Sequence, residues 1–510
     1  MPNDSSEYSQ VMKARVFDIE AKRMVCLLNH ADAVELGVFP LDRVELTNLQ
    51  NRKKLVTVVD VTKTMLQQEE LGVFKEVAEK LLLRDGKKVK VRPVEKPESL
   101  RFIKKKMDGE TLTSDEIKAI VKDIGGNKLS ELEVAAFVTA VFIHGYDLNE
   151  TVAMTKALTE NGLQLRLDKG PVLDKHCIGG TNGRATMIIV PIIAAAGYYI
   201  PKTSSRSITS AAGTADAMEV LADVCLPLNK IKQITERVGG VIVWGGAIDL
   251  APADDQIIRV EHPFSLDPVG QIIASVMAKK ASVGSKFVVV DLPVGPDVKI
   301  HSMEKAEDMA KKIIAVGKKL GIKVEAVLTD GSGPCGSAFG PALEAKQVMQ
   351  ILEGKYFDEL AQKACELAGV LFELVGKTKK GKGYAFAKEI LLSGRALRKM
   401  HEIIKAQGAR CLSSKEIGEA KFKKIINSSA DGEISKINVR KCTSIARIAG
   451  APGDKKAGLF LLVEVGQKVK RGQPAFTIFS ENKRKLNLAV QYAKKTNAIE
   501  LQKMILEKIQ

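Results

Sequence analysis

The sequence has few of the residues that mark a secreted, disulfide-bonded or zinc-binding protein. Its seven cysteines stand singly, and no two of them form a Cys-x-x-Cys pair. This spacing excludes a disulfide framework and the common zinc sites, and it suits a reducing compartment. No apolar run approaches the roughly 20 residues that cross a bilayer, and the polar start MPNDSSEYSQ lacks a signal-peptide pattern. We therefore expect a cytoplasmic protein that does not enter membranes.

Aromatic residues are also scarce, with seven Tyr and one Trp in 510 residues. Many RNA-binding domains stack bases on aromatic side chains set among basic residues, and no such platform is visible. The net charge of +17 is spread over the chain, where it can attract small anions as well as nucleic acid. We expect no nucleic-acid partner and keep RNA binding only as a remote alternative.

The length and a hydrophobic fraction of 45% predict several domains with sizeable cores. We predict a multidomain fold of mixed α/β and α+β type. Its predicted parts are a small N-terminal β-barrel-like domain (1–95), a helical subdomain (97–165, completed by about 252–285), a central mixed α/β domain (170–375) and a C-terminal α+β domain (380–510).

Local patterns support this division. The first part has five β-type runs and one helical insert around Val73–Leu83. In the second part, Thr113 and Ser130 stand where helix N-caps belong, each followed by acidic residues. The third part alternates β-branched runs that end in glycine with amphipathic helices, which is typical of a sheet covered by helices.

The first chemical motif is DKHCIGGTNGRAT, Asp174–Thr186, which leads into an apolar helix. Consecutive glycines before a helix expose backbone N–H groups, and the helix N-terminus adds positive potential. Lys175, His176 and Arg184 supply further donors. The motif predicts an anion-binding loop, although such a turn is also found without a ligand.

The second motif, Lys202–Leu221, has few apolar side chains before Ala215 and six hydroxyl groups from Thr203 to Ser210. It would bury little apolar area but offers many donors, as a cradle for a phosphate or ribose does. The alternative is a flexible Ser/Thr linker. The strongly apolar segments on both sides favour the cradle.

The third motif carries Asp267 in a Leu-Asp-Pro turn at the start of an apolar helix. Ser275 and Lys279 follow on one face of that helix, since they are four residues apart. A partly buried carboxyl group at such a place can have a raised pKa, as a proton donor to a departing base requires. An Asp before Pro is otherwise usually a helix cap.

Together these motifs resemble the thymidine/pyrimidine-nucleoside phosphorylase family. Seven positions fit its signature S-x-R-x-[LI]-x4-G-T-x-D-x-x-E, namely Ser204, Arg206, Ile208, Gly213, Thr214, Asp216 and Glu219. DKHCIGG is similar to the DKHSTGG phosphate loop of that family. Within the family, the extra N-terminal domain and the motifs GGVIVWGGAIDLAPADDQIIRVE and GPALEA resemble the archaeal branch that acts on nucleoside monophosphates.

This resemblance implies roles for individual residues. Asp267 matches the catalytic proton donor, and Lys175, Ser204 and Thr214 match the contacts to phosphate. The positions that match binding of the nucleotide AMP are Gly179, Ser205, Arg206, Ser207, Ile208, Thr209, Ser210, Thr214, Ser275 and Lys299. The implied reaction uses inorganic phosphate to convert AMP, and in some members also CMP and UMP, into free base and ribose 1,5-bisphosphate, with no metal or organic cofactor. The resemblance also implies a homodimer or a larger homo-oligomer.

Two positions depart from the wider family. Cys177 replaces the usual Ser of the phosphate loop, which exchanges a hydroxyl for a weak thiol donor. Val260 stands where thymidine phosphorylases have an Arg that reads the base. Losing that bidentate donor argues against thymine as the base.

Three alternatives stay open at this point. One is a thymidine or pyrimidine-nucleoside phosphorylase. Another is a phosphoribosyltransferase on the same fold, which would need an acidic magnesium–pyrophosphate motif where the chain offers only Asp254-Asp255. The third is the RNA-binding protein already mentioned, for which the sequence has no recognition motif.

Overall fold

The computed structural model describes residues 8–21, 23–179, 183–207, 210–248, 250–264 and 266–502. The chain packs as two compact units, Met1–Gly162 with Ala251–Ser275, and Leu163–Leu250 with Val276–Gln510. In the described ranges, no helix combines the length and the apolar character needed to cross a membrane.

The first unit begins with a barrel. Its elements are β1 (Gln10–Phe17), β2 (Val25–Asn29), α1 (His30–Leu36), β3 (Arg43–Asn48), β4 (Lys54–Thr62), β5 (Glu70–Phe74), α2 (Lys75–Leu81) and β6 (Lys88–Val94). The strands close in the order β1-β5-β2-β4-β3-β6, with alternate side chains such as Leu28, Leu46 and Val91 fully buried inside. The barrel-like domain is confirmed. Strand β5 was missed, because it is short and is held by pairing with β1 and β2, which are distant in sequence.

Four helices complete the N-terminal part of this unit. They are α3 (Ser99–Met107), α4 (Ser114–Gly125), α5 (Glu131–His144) and α6 (Leu148–Asn161). The predicted N-caps Thr113 and Ser130 are confirmed, since each forms a reciprocal capping box with the Glu three residues later. A buried ion pair joins α3 to α6, with 2.8 Å between Lys106 Nζ and Glu150 Oε1.

Strands and helices alternate in the next part of the chain. The elements are β7 (Leu173–Cys177), α7 (Thr186–Ala195), β8 (Ile200–Ser204), α8 (Thr214–Leu221), α9 (Leu228–Val238), β9 (Gly240–Trp244), α10 (Pro252–Phe264), α11 (Val269–Ser282), β10 (Phe287–Val294), α12 (Met303–Lys319) and β11 (Lys323–Asp330). Helix α10 and the first half of α11 belong to the first unit. The strands form parallel sheets in the orders β11-β10-β7 and β8-β9, and a parallel bridge between Val172 and Tyr199 links the two.

The remaining elements complete the second unit. They are β12 (Ala338–Phe339), α13 (Pro341–Leu352), α14 (Glu359–Leu374), α15 (Gly383–Leu392), α16 (Arg395–Ala406), β13 (Phe422–Asn427), β14 (Gly432–Ile437), α17 (Val439–Ala449), β15 (Gly458–Leu461), β16 (Lys468–Val469), β17 (Pro474–Ser480), α18 (Lys483–Lys495) and β18 (Ile499–Leu501). Helices α15 and α16 share one core with the largely apolar α7, although the predicted boundary near 380 falls before them. The later elements enclose a second core around Ile445, Leu459 and Ile478. The predicted multidomain α/β and α+β fold class is confirmed.

Candidate active site

Several of the predicted site residues lie at or just beyond the carboxyl ends of the parallel strands of the second unit. The last residues of these strands are Cys177, Ser204, Trp244, Val294 and Asp330. Strands β8 and β9 end together at the pair Ser204 and Trp244, and β10 and β11 end together at Val294 and Asp330. Strand β7 ends at Cys177, which pairs with Asp291 before the end of β10. In such sheets ligands bind in the loops beyond the carboxyl ends of the strands. The anion loop and the hydroxyl-rich loop both begin there.

Lys175 is fully buried on β7. Its Nζ lies 3.6 Å from Asp291 Oδ2 on β10, and its ammonium group has no hydrogen-bond acceptor among the described residues. Burial acts to raise the pKa of Asp291, but the nearby cations Lys175 and Lys363 bring it below its ordinary value. An anionic Asp291 thus holds the ammonium group of Lys175 in place. A buried ammonium group with unused donors suits a phosphate oxygen.

Asp174 organises a second buried cluster, on the opposite face of β7 because side chains alternate along a strand. Its Oδ2 accepts a hydrogen bond from Lys280 Nζ at 2.5 Å, and its Oδ1 lies 3.6 Å from Lys202 Nζ. Burial lowers the pKa of Lys202 to about 7. The carboxylate of Asp174 acts to raise this pKa, whereas the like charges of Lys280 and Lys175 lower it further. Sequence analysis missed Lys202 and Lys280 as site residues. The available signal was a lysine next to apolar residues, in the segments IPKTS and MAKKAS.

The two residues that follow Lys175 are held in uncharged forms. Burial and the surrounding lysines, Lys280 first among them, lower the pKa of His176 well below its usual value, so its imidazole is neutral at pH 7. Burial raises the pKa of the Cys177 thiol to about 12, and the thiol interacts with Asp291. The Cys that replaces the family's Ser is therefore an inert, protonated group rather than a nucleophile.

The anion loop and the hydroxyl-rich loop meet at the start of α8. Thr214, the first residue of α8, donates a hydrogen bond from its hydroxyl to the carbonyl oxygen of Gly183 at 3.0 Å. A Cβ added to Gly183 would lie 2.8 Å from that hydroxyl oxygen, so glycine permits the contact. The contact brings the start of α8 next to the residues that lead into α7, and helix N-termini favour anions. Gly180 of the predicted anion loop lies outside the described residues.

The charged residues of the signature pair with one another. Arg206 donates to Asp216 Oδ1 at 3.0 Å and to Glu219 at 2.7 and 2.8 Å, and its guanidinium lies 4.8 Å from the centre of the Trp244 ring. Hydrogen bonds from Arg206 lower the pKa of Glu219 to about 2. Burial acts to raise this pKa, and Lys455 acts to lower it. The structure thus places Arg206, predicted to bind AMP, in contacts within the protein.

Residues 205–213, which we call the hydroxyl loop, are tied together at both ends by Asp216. Its Oδ2 accepts from the backbone N–H of Ser207 at 2.7 Å and from that of Gly213 at 3.0 Å. Ser207 and Ser210 also bond to each other through their hydroxyl groups at 3.3 Å. The structure therefore brings Ser205, Ser207 and Ser210 into one loop beside Thr214. The other two predicted residues, Ile208 and Thr209, lie outside the described residues.

Gly213 makes this loop possible, which leads to a prediction. A Cβ at Gly213 would lie 2.5 Å from the carbonyl oxygen of Ser205 and 2.7 Å from Ser207 N, both backbone atoms that cannot rotate away. Gly213→Ala should displace the hydroxyl loop and lower kcat/KM by roughly tenfold to a hundredfold. Gly333→Ala, where the added Cβ meets no atom within 4 Å, is the matched control in steady-state kinetics. A Gly213→Ala enzyme with the same kcat/KM as the control would contradict this account.

Lys299 lies in the loop after β10 and is exposed. A backbone hydrogen bond of 3.0 Å from Gly295 N to Ile300 O closes this loop. The loop packs beside Gly179, where an added Cβ would lie 3.3 Å from Pro293 and 3.7 Å from Val298. Gly179 therefore lies beside the loop that carries Lys299.

Asp267 and Ser275 belong to the first unit. Asp267 is exposed in the short link between α10 and α11, so the expectation that its carboxyl group is partly buried is wrong. Ser275 donates to Asp254 Oδ2 at 2.7 Å, and Asp254 is fully buried. A buried aspartate that already accepts a hydrogen bond from Ser275 is poorly placed to bind magnesium–pyrophosphate. Within the described ranges, no three His, Cys, Asp or Glu side chains form a cluster that could hold a metal ion.

Family models match most of the chain. The helical bundle domain of a glycosyl transferase family matches residues 100–162, and its a/b domain matches residues 169–397. The C-terminal domain of pyrimidine nucleoside phosphorylase matches residues 433–500. The regions that carry the signature and both loops fall within the a/b domain.

Curated relatives match nearly the whole chain. The AMP phosphorylase of Methanothrix thermoacetophila is 44% identical over 494 residues, which cover 96% of each protein. The chain belongs to the AMP phosphorylase family. The AMP phosphorylases of Thermococcus kodakarensis and Pyrococcus furiosus are 44% and 43% identical, and each match covers 98% of this chain and 99% of the relative. The resemblance drawn from the motifs is confirmed, and the chain is an enzyme of the glycosyltransferase class.

Solved structures reveal how widely the fold of AMP phosphorylases is shared. Anthranilate phosphoribosyltransferase from Thermus thermophilus has a TM-score of 0.52 with 21% sequence identity, and the match covers 60% of this chain and 98% of that one. The enzyme from Saccharomyces cerevisiae has a TM-score of 0.50 with 15% identity. At these identities the likeness concerns the fold alone. The phosphoribosyltransferases considered among the alternatives thus share this fold.

Proposed function

We propose that this protein phosphorolyses AMP to adenine and ribose 1,5-bisphosphate. The main support is the identity of 43–44% with proteins named AMP phosphorylase over at least 96% of the chain. The physical support is a buried ammonium group, two helix N-termini and a hydroxyl-rich loop gathered at the carboxyl edge of a parallel sheet. Such an arrangement binds oxyanions.

Inorganic phosphate is the co-substrate and binds to Lys175, Ser204 and Thr214. Lys175 supplies an ammonium group whose donors have no acceptor among the described residues. Thr214 adds the N-terminal end of α8, while its hydroxyl donates to the carbonyl oxygen of Gly183. The thiol of Cys177 adds no charge, because it stays protonated. Backbone N–H groups therefore replace the hydroxyl contact that the wider family has at this position.

The nucleotide's own phosphate binds to the hydroxyl loop and to Lys299. The assigned residues are Ser205, Ser207, Ile208, Thr209 and Ser210 together with Gly179. Gly179 adjoins the Lys299 loop, and the hydroxyl loop begins at the same sheet edge. Arg206 takes part indirectly, since its guanidinium pairs with Asp216 and Glu219. This assignment favours nucleotides over nucleosides, because a nucleoside has no 5′-phosphate to contact the hydroxyl loop and Lys299.

The reaction breaks the bond between C1′ and the purine nitrogen as a phosphate oxygen bonds to C1′. The bonding pair leaves with adenine, and Asp267 gives a proton to a ring nitrogen of the base. The bound phosphate stabilises the positive charge that develops on the ribose. Ser275 contributes to recognition of the nucleotide. Asp267 is exposed, so the bound nucleotide must cover its carboxyl group during proton transfer.

Other properties are part of the same proposal. The reaction needs no metal or organic cofactor, since phosphate is the second substrate and Asp267 supplies the proton. We propose a homodimer or a higher homo-oligomer in the cytoplasm, with no nucleic-acid or membrane partner. Light scattering of the purified protein measures the mass of the assembly, and a monomer would contradict this part.

Base release tests the proposed function. The purified protein is incubated with AMP, CMP, UMP, thymidine or uridine, with and without phosphate, and free base is measured by chromatography. We expect phosphate-dependent release of adenine from AMP at a higher kcat/KM than from the two nucleosides. Faster release of thymine or uracil from the nucleosides would favour a pyrimidine-nucleoside phosphorylase. Release that does not depend on phosphate would rule out phosphorolysis.

A further inference from the structure

The C-terminal part of the second unit contacts the hydroxyl loop through two cations. Arg447, on α17, donates from Nη1 to the carbonyl oxygen of Ser210 at 3.1 Å. Lys455, on the turn between α17 and β15, lies with its Nζ 2.6 Å from Glu219 Oε2 and 3.5 Å from Asp216 Oδ1. Both contacts join segments that are more than 230 residues apart in sequence.

Lys455 thereby acts on the carboxylates that shape the loop. Asp216 accepts backbone hydrogen bonds from both ends of the loop, at Ser207 and Gly213. Arg206 already pairs with Asp216 and Glu219, and Lys455 adds a second positive charge. Two carboxylates facing two cations form a balanced cluster. Without Lys455, the cluster would have an excess of negative charge beside a loop proposed to bind phosphate.

The turn that carries Lys455 is itself anchored. The Lys455 carbonyl oxygen accepts from Ala342 N, at the start of α13, at 2.9 Å. The neighbouring Asp454 pairs with Lys485 of α18 at 2.8 Å and donates its backbone N–H to Gly450 O at 2.9 Å. Lys455 is thus presented by a turn fixed to two helices.

We propose that Lys455 and Arg447 are positioning residues that preset the hydroxyl loop for the nucleotide's 5′-phosphate. This rests on the proposed function, which places that phosphate at the hydroxyl loop. Among the described residues of the loop, only Ala211 packs in an apolar core, so polar contacts supply most of what holds its conformation. Contacts that are made before the ligand arrives reduce the ordering cost of binding. AMP affinity therefore depends on a region of the chain outside the a/b domain.

The expected effect lies in binding rather than in stability. The side chain of Lys455 is 40% exposed, and exposed ion pairs contribute little to folding because water screens them. Loss of Lys455 should leave the fold intact while the loop samples more conformations. A merely structural role would instead lower the unfolding midpoint and would reduce the amount of active enzyme, which lowers kcat.

The experiment compares three variants of the full-length protein with the wild type. Lys455→Met removes the charge and keeps the chain length, Lys455→Arg restores a cation, and Lys456→Met removes the charge of the exposed neighbouring lysine. We measure the Kd of AMP by calorimetry, kcat and KM for AMP at saturating phosphate, and the thermal unfolding midpoint. Arg447→Met is then added to Lys455→Met.

We expect Lys455→Met to raise the Kd and KM for AMP about threefold to fivefold, the upper end of what a partly exposed ion pair contributes. Its kcat should stay within about twofold of the wild type and its unfolding midpoint should not change. Lys455→Arg should restore the Kd, Lys456→Met should match the wild type, and the double variant should bind AMP more weakly still. An unchanged Kd in Lys455→Met, an equal loss in Lys456→Met, or a fall in kcat and midpoint without a change in Kd would overturn the inference.

The proposed function is tested separately in the same experiment. A wild-type enzyme that binds AMP but releases no adenine would contradict phosphorolysis. In that case the Kd of AMP in Lys455→Met, compared with that in the wild type, would still decide the role of Lys455. A wild-type enzyme with full activity and Lys455→Met with an unchanged Kd would contradict the positioning role alone.

Discussion

Asp267→Asn is expected to lower kcat by about a hundredfold or more, while AMP still binds. An amide has the shape of the carboxyl group but cannot give a proton to the departing adenine. Because Asp267 is exposed, its replacement should leave the fold unchanged. Single-turnover base release measures the chemical step, and calorimetry measures AMP binding.

A substrate that needs no proton separates proton transfer from other roles of Asp267. The base of 7-methyl-AMP already carries a positive charge, so Asp267→Asn should reduce its phosphorolysis much less than that of AMP. Asp115→Asn, at another exposed carboxylate of the same unit, is the matched control and should behave as the wild type. Equal losses with both substrates would show that Asp267 is not the proton donor.

Asp174→Ala should destabilise the second unit by about 3–5 kcal/mol, because it leaves buried lysines without their counter-ion. Asp174 is fully buried between Lys280, at 2.5 Å, and Lys202, at 3.6 Å. Its removal would also take an acceptor from the backbone N–H of Lys175. Chemical denaturation followed by circular dichroism measures the loss.

The pH dependence of this loss has a definite sign. Lys202 has a pKa of about 7 in the folded protein and an ordinary value of 10.5, so between these values the unfolded chain binds more protons. Stability therefore rises with pH across this window. Asp174 raises the pKa of Lys202, so its removal lowers that pKa further. In Asp174→Ala the pH window therefore begins at a lower pH, and the increase in stability across it is larger.

A surface ion pair of the same unit provides the control. Asp308 pairs with Lys312 at 2.7 Å, but their side chains are 56% and 53% exposed. Asp308→Ala should cost no more than about 0.5 kcal/mol. Equal destabilisation by Asp174→Ala and Asp308→Ala would contradict the role of the buried cluster.

The fold could be predicted where local pattern decides it. Capping boxes at Thr113 and Ser130 and the alternating runs of the barrel depend on neighbouring residues, and the structure confirms them. Strand β5 could not be predicted, because its partners β1 and β2 are distant in sequence. Helices α15 and α16 have ordinary amphipathic patterns, and such patterns do not reveal that their apolar faces share a core with α7.

The site shows the same division. Motif spacing selected Lys175, Thr214 and the hydroxyl loop, which the structure gathers at one sheet edge. It could not reveal that Arg206 pairs with Asp216 and Glu219, or that Asp267 is exposed. The roles assigned to AMP and phosphate stay predictions until the variants are measured.

The amino-acid sequence by itself determined the family, the kinds of domain and the loops with the donors for a phosphate. Those properties lie in residue types and short spacings, which can be read along the chain. Only the tertiary structure decided which charges neutralise one another, as it brings Lys202 and Lys280 to Asp174, and Lys455 to Glu219. The reason is physical: the energy of a charge depends on its burial and on partners a few ångströms away, which strand order and packing supply.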